Sequence, residues 1–301
     1  MKNYLNKLLY RNKNFDISST TDQLDIWENS CESENTEYQK ETPTSIWTYW
    51  HDNEIPKSVQ ICVASWRKNN PDFKINIVNH SNLNTFLPDF RFDDYYNKNI
   101  ANISDIIRLK LLYLYGGIWL DASVFLNTSL STYIEQKESY NLDLLCFRGD
   151  GHNNDSNYPI TESWFLITSP KNHFIKLWLD TLDECFRKVN FDNYFPSKYP
   201  EIYNSIEEKN RNYLFVYMAS QVAMRHSSNI KIGFLNSRLN GFFYNYLFKF
   251  DYIKISKYFL LDSNYKKFPS IIKLMSKNRN ALDSLIQAKM YKKNTMFGQY
   301  I

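Results

Sequence analysis

The stretch SDIIRLKLLYLYGGIWLDAS, residues 104–123, holds the side chains best spaced for chemistry. Asp105 and Arg108 lie three apart in a helical pattern, so they share one face near the helix start. A carboxylate there is stabilised by the helix macrodipole; taken alone, the pair reads as an ordinary ion pair of small worth. Gly116 and Gly117 end the helix. One glycine makes a left-handed cap, so a second points to a close backbone approach. Asp121 closes the apolar run IWL. A carboxylate at that position is either a strand-end turn residue or faces the crevice in which α/β sheets bind ligands. An oxygen ligand at such an edge suits Mg2+ or Mn2+, which take few protein carboxylates and bridge to phosphates.

Other candidates are less specific. Glu162 and Ser163 stand at the start of an apolar strand, which fits either a polar strand end or a group facing substrate. Tyr217 carries the same ambiguity. Trp119 and Trp164 read as core. The five histidines show no metal-ligand spacing, and His51, just after the first strong strand, is the best placed of them. Arg148-Gly149-Asp150-Gly151 reads as a flexible loop bordering an acceptor cleft. No nucleophile elbow and no Cys–His motif is present.

The elements that must position these residues follow from periodicity. TSIWTYW (44–50) is β-branched and aromatic, a buried strand. A helix follows behind Pro56 and ends at NNP. FKINIVN (73–79) alternates as a strand, 102–115 is a helix capped by Gly116, and IWL is a strand again. Further strands fall at 142–147, 163–169 and 229–234, with helices over 170–189 and 211–226. Two basic helices are expected near 270–279 and 281–293. This order gives an α/β domain with a largely parallel sheet, ligands sitting at the carboxyl ends of its strands.

Composition sets bounds. Among 301 residues there are only seven glycines, and neither G-x-G-x-x-G nor the Walker pattern occurs, so glycine-lined phosphate loops are excluded. Hydrophobic residues make up 43% of the chain, which excludes a largely disordered one. Cys31, Cys62, Cys146 and Cys185 are too widely spaced for a zinc site or a disulfide framework and suit free thiols in a reducing compartment. No apolar run reaches the length of a membrane span, and the N-terminus lacks a signal-peptide core, so the expected location is cytoplasmic. Net charge is +4, unevenly spread: from residue 249 onward 11 Lys/Arg face 3 Asp/Glu, a local +8. Such a segment suits peripheral contact with an anionic membrane face. Nucleic-acid binding is the rival reading of that segment, but its aromatics follow strand and helix periods instead of forming an exposed stacking platform. Residues 1–42 read as a helical and linker extension, amphipathic at Tyr4, Leu5, Leu8 and Leu9 and acidic and exposed over 22–41.

The combination S-D-x-x-R, helix, Y-G-G-I-W-L-D-x-S is far more specific than its parts. It resembles the capsular polysaccharide synthesis proteins, relatives of the family 32 glycosyltransferases, and a similar pattern occurs in the large clostridial glucosylating toxins. IWTYWHDNEIPKSVQICVASWRKNNPDFKINIVN (46–79), ESWFLITSPKNHFIKLWLD (162–180) and FPSIIKLMSK (268–277) agree. The resemblance covers residues 43–280, which it makes a GT-A-type nucleotide-sugar-binding domain with a mixed, mostly parallel sheet and added C-terminal helices, leaving 281–301 as a basic tail. It implies a retaining transfer of sugar from a UDP-sugar to a saccharide acceptor, lipid-linked in capsule or surface polysaccharide assembly, with a protein-modifying effector as the alternative. It places Trp47, Thr48, Tyr49 and Trp50 beside the nucleotide, and Asp105, Arg108 and Gly117 toward the donor. Asp121-Ala122-Ser123 matches the family's aspartate-x-aspartate motif, with Asp121 and Ser123 holding Mn2+ or Mg2+; serine replaces the second acid. Lys273 matches a family lysine near the C-terminus and is the candidate for a mobile basic group completing the diphosphate clamp, though by itself it reads as one member of a solvated basic helix. Asp121, Glu162 and Ser163 become the catalytic candidates.

Overall fold

The first strong strand alternates as its sequence requires. In β2 (Ser45–Tyr49), Ile46 packs into one apolar cluster while Trp47 and Tyr49 pack into another on the opposite face. The same split recurs in β4 (Gly117–Leu120), where Ile118 and Leu120 oppose Trp119. A strand apolar on both sides must be covered on both sides, and β4 is an interior strand of a seven-stranded sheet. The computed structural model describes residues 23–29, 41–149, 153, 155–267 and 269–301.

The sheet is completed by β1 (Leu24–Asn29), β3 (Lys74–Val78), β6 (Leu144–Gly149), β7 (Ile160–Thr168) and β8 (Ile230–Asn236), in the order β1-β8-β6-β7-β4-β2-β3. Strands β2, β3, β4, β6 and β8 run one way, and β7 and β1 run the other. The architecture is therefore α/β with a mixed, mostly parallel sheet, as expected. β1 falls inside the stretch expected to be exposed linker; it pairs along its whole length with β8. The amphipathic segment around Tyr4, Cys31 and the Asp150-Gly151 half of the expected loop lie outside the described residues.

Four helices matter for the site. Helix α1 (Lys57–Asn69) covers the Ile46 face, and α2 (Ile100–Tyr115), α3 (His173–Phe186) and α4 (Phe215–His226) cover the Trp47 face. Asn99 caps α2 by accepting from the Asn102 N–H, and Gly116 ends it at φ 60°. The helix at 170–189 begins later than expected, behind Asn172 instead of Ser169, because Asn172 accepts from the Ile175 N–H. Cys62, Cys146 and Cys185 are buried free thiols.

The C-terminal region departs from expectation. In place of two basic helices, a short strand β9 (Ile271–Lys273) pairs antiparallel with β5 (Val124–Leu126), Val124 opposite Lys273. A single helix, α5 (Ser276–Gln287), follows. It docks on α1: Asp283 accepts from the Ser58 backbone N–H and hydroxyl, both at 2.7 Å. Residues beyond 281 are part of the packed structure, since Leu282, Ile286, Met296 and Phe297 join an apolar cluster with Phe125. Phe125 stacks on Phe297 with centroids 4.5 Å apart. Phe243, Tyr244 and Phe248 of the aromatic patch are buried in that cluster too, while Phe250 is exposed.

Candidate active site

Asp121 lies just past the carboxyl end of β4, on the face shared by Trp119, because strand residues two apart point the same way. Three elements converge on it. From α2, the Arg108 Nη2–H donates to Asp121 Oδ1 at 2.9 Å, while its Nη1–H donates to Asp105 Oδ1. From β4 itself, the Trp119 indole N–H donates to Oδ1 at 3.0 Å. From β9, the Lys273 ammonium donates to Oδ2 at 2.5 Å and to Ser123 Oγ at 2.8 Å. Asp105, Arg108, Asp121, Lys273 and Ser123 thus form one chain of charge-assisted hydrogen bonds, of the stronger kind.

The positioning of Lys273, 152 residues from Asp121, can be traced step by step. Trp66 of α1 is fully buried and donates to the Val124 carbonyl at 2.7 Å; Ser65 Oγ accepts from the Leu126 N–H at 3.0 Å. These bonds fix β5, and the β5–β9 ladder fixes Lys273. The Lys273 N–H donates to the Gly241 carbonyl and the Leu274 N–H to the Ser123 carbonyl. At Gly241 a side chain would strike the Trp164 ring, 2.5 Å away.

Burial gives these groups their charge states. Arg108 is 4% exposed. Losing water disfavours its cation, but Asp105 and Asp121 more than restore it, and its pKa is raised. Burial pushes Asp105 up to about 6, with Arg108 opposing and Asp121 adding to the rise. Burial would raise Asp121 as well, yet Lys273 and Arg108 together hold it well below the usual carboxylate range. Burial lowers Lys273 against the pull of Asp121. Arg108 also lies over the Trp119 ring, 4.9 Å from its centroid, a favourable contact for a desolvated cation.

Glu162 forms the second part of the site. It is 4% exposed on β7, and its Oε2 accepts from the Tyr217 hydroxyl of α4 at 2.5 Å. Burial raises it to about 7, with Tyr217 and Lys273 opposing the rise and Asp121 adding to it. Its setting includes a bulge: Cys146 pairs with Leu166 but the next residue, Phe147, pairs with Glu162. Such irregularities re-aim side chains beside sites. Gly149 makes room for it, since a Cβ there would stand 2.9 Å from Glu162 Oε1. Ser163 is buried beside it.

The remaining expected residues are more dispersed. Trp47 points away, donating to the Gly116 carbonyl at 3.0 Å and stacking on Tyr115, and Thr48 is fully buried. Tyr49 and Trp50 lie nearer the carboxyl edge; Trp50 donates to the Glu54 carbonyl at 3.2 Å and has Arg279 over its ring. An open cleft of about 450 Å3 lies beyond the ends of β2 and β3, lined by His51, Asp52, Asn53, His80 and Ser81. Gly117 is not brought to Asp121. It sits at the opposite end of β4 with φ 91°, and a side chain there would strike the Ser45 carbonyl at 2.5 Å. Gly116 likewise makes room for Pro170. The glycine pair serves strand packing instead of donor contact. Sequence reasoning passed over Trp119 as core; the W-x-D spacing on a strand, which puts both side chains on one face, was the signal.

The fit of a divalent ion can be judged from the donors. Among the described residues no group of three or more His, Cys, Asp or Glu is placed to hold one. Both expected ligands, Asp121 Oδ2 and Ser123 Oγ, accept from Lys273, and Asp121 Oδ1 accepts from Arg108 and Trp119. One carboxylate already carrying two cations offers a dication no net negative charge. The donor set as arranged does not fit Mn2+ or Mg2+.

The carboxyl edge of an open α/β sheet is where such folds bind their ligands, and Arg108 and Lys273 meet Asp121 at that edge. The chain belongs to the capsular polysaccharide synthesis protein family, whose pattern residues 6–227 match; Lys273 lies beyond that match. It is similar to the O-glycosyltransferase braB of Annulohypoxylon truncatum, 30% identical over 97 residues, covering 27% of this chain and 23% of the relative. The glycosyltransferase afumC of Aspergillus fumigatus is 31% identical over 101 residues, 29% of this chain and 26% of the relative. The chain thus spans about a quarter of these curated relatives. Among solved structures, the galactosyltransferase LgtC with donor and acceptor sugar analogues aligns over 77% of this chain and 87% of its own, at 14% identity and a TM-score of 0.43.

Proposed function

We propose that the chain is a glycosyltransferase of GT-A type that moves a sugar from a UDP-sugar to a saccharide acceptor, with retention, in bacterial surface polysaccharide assembly. The observation that carries this is the convergence of buried Arg108 and Lys273 on Asp121 at the carboxyl edge of β4. Family membership and the names of the matched relatives support it.

The chemistry needs positive charge where a diphosphate departs. Arg108 and Lys273 supply it from fixed positions, so little reorganisation is required as charge develops. Asp121 holds both cations and orients them. Asp105 holds Arg108 from the other side. As the bond from the anomeric carbon to the phosphate oxygen breaks, its electron pair stays on the diphosphate. The acceptor hydroxyl oxygen bonds to the anomeric carbon from the same face, and its proton passes to the departing phosphate. Glu162, ionised above about pH 7, places negative charge against the positively polarised carbon. In this reading Tyr49, Trp50 and the cleft at His51 and His80 take the nucleotide. The +8 segment after residue 249 supports an acceptor at an anionic membrane face, such as a lipid-linked saccharide. Among the described residues no helix is long and apolar enough to cross a membrane.

The test is a panel of UDP-sugars given to the purified chain, with UDP release followed over time and the product anomer read by proton NMR. Turnover of one donor with retained configuration is expected. Absence of UDP release from every donor, with and without acceptor and Mn2+, sinks the proposal.

A further inference from the structure

We infer that the Lys273 ammonium does at Asp121 the work of a divalent cation, bridging the protein carboxylate to the donor diphosphate, which is bound without metal. This rests on the transferase reading above and specifies how its site holds the donor.

The contacts of Lys273 carry the inference. An ammonium has three N–H donors. Two are committed, to Asp121 Oδ2 and Ser123 Oγ, the two atoms a bound ion would have used. The third is left for a phosphate oxygen. The carboxylate, cation and phosphate then stack in the order a metal would impose, with Lys273 in the middle.

Charge explains the serine. A dication suits two carboxylates; an ammonium, with half the charge, suits one carboxylate and one neutral hydroxyl. Replacing the second acid of the motif by Ser123 and the ion by Lys273 each removes one unit, so the two changes match. A second aspartate at position 123 would leave an uncompensated buried anion, which is costly. Arg108 completes the balance by pairing Asp105 as well as Asp121.

Rigidity supports the same role. Lys273 is not at the end of a loose tail. Its backbone is paired to Val124 and its side chain is 13% exposed. A cation so fixed can bind a phosphate without first being ordered, which limits the entropic cost.

The experiment titrates UDP into the full chain by calorimetry, in excess EDTA and again in millimolar MnCl2. The Mn2+ affinity of UDP itself is subtracted in a protein-free control. The expected result is a UDP affinity that agrees within about twofold between the two conditions. Lys273→Met should lower affinity in EDTA by about tenfold or more, the scale of a lost charge-assisted contact, while Lys273→Arg recovers part of it. Circular dichroism checks that the variants fold, and the wild-type comparison needs no variant. A tenfold or greater gain on adding Mn2+ overturns the inference and leaves the transferase reading standing. Lack of UDP binding in both conditions, together with failure of the donor panel, overturns both.

Discussion

Glu162→Gln should make the protein more stable at alkaline pH while impairing its function. The wild-type carboxyl is raised from 4.5 to about 7 by burial. A folded pKa above the unfolded value means the native state binds the proton more tightly. The resulting stability is fully present below about pH 4.5 and is lost as pH rises through about 7. At about 1.4 kcal/mol per pH unit, the ionised form costs about 3 kcal/mol of stability at pH 8. Glutamine mimics the protonated acid in shape and still accepts from Tyr217, so it avoids that cost at every pH. Urea melts of both proteins at pH 4.5 and pH 8 give the comparison, and using the difference between them cancels Asp105 and other shared titrations. The variant should gain on the wild type by about 2–3 kcal/mol between the two pH values. A difference that stays flat across this range, or one that favours the wild type at pH 8, refutes the placement of Glu162 as a buried, costly carboxylate.

Arg108→Lys keeps the charge but cannot span Asp105 and Asp121 at once, since only the guanidinium has the planar fork; kcat/KM for the accepted donor should fall by about 100-fold, and the melting midpoint should fall as well, because one buried carboxylate loses its partner. Gly149→Ala places a methyl 2.9 Å from Glu162 Oε1, so the pH–rate profile should shift while urea melts move by less than about 1 kcal/mol; an unchanged profile would show that Glu162 yields freely. Asp283→Ala removes both acceptors of Ser58 at the start of α1, and should cost about 1–2 kcal/mol in urea melts without altering kcat.

Much of the sheet could be read in advance because its strands are apolar on both faces and its main helix ends at a glycine. Asp105, Arg108 and Asp121 were legible for the same reason: their spacing within 17 residues fixes a helix face and a strand end. The environment of Lys273 was not. Its basic neighbours suggest a solvated helix, and only the pairing of β5 with β9 brings it to Asp121. Long-range pairing leaves no local periodicity. β1 was hidden for a related reason: LDIWEN is an edge strand, with exposed positions that read as linker. Gly149 and the bulge around Glu162 depend on register between strands, which the sequence does not state. The glycine pair was correctly tied to close approach, but the approaching atoms belong to Ser45 and Pro170 instead of a ligand.

The central claim is that the Asp105–Arg108–Asp121–Lys273 chain holds the diphosphate of a nucleotide-sugar. A crystal structure of the chain soaked with the UDP-sugar it turns over tests this most directly. The expected result is a diphosphate oxygen within hydrogen-bonding distance of Lys273 Nζ, with the sugar lying between that point and Glu162. Nucleotide density elsewhere on the molecule, with the Asp121 pairs to Arg108 and Lys273 undisturbed and facing only solvent, would contradict it.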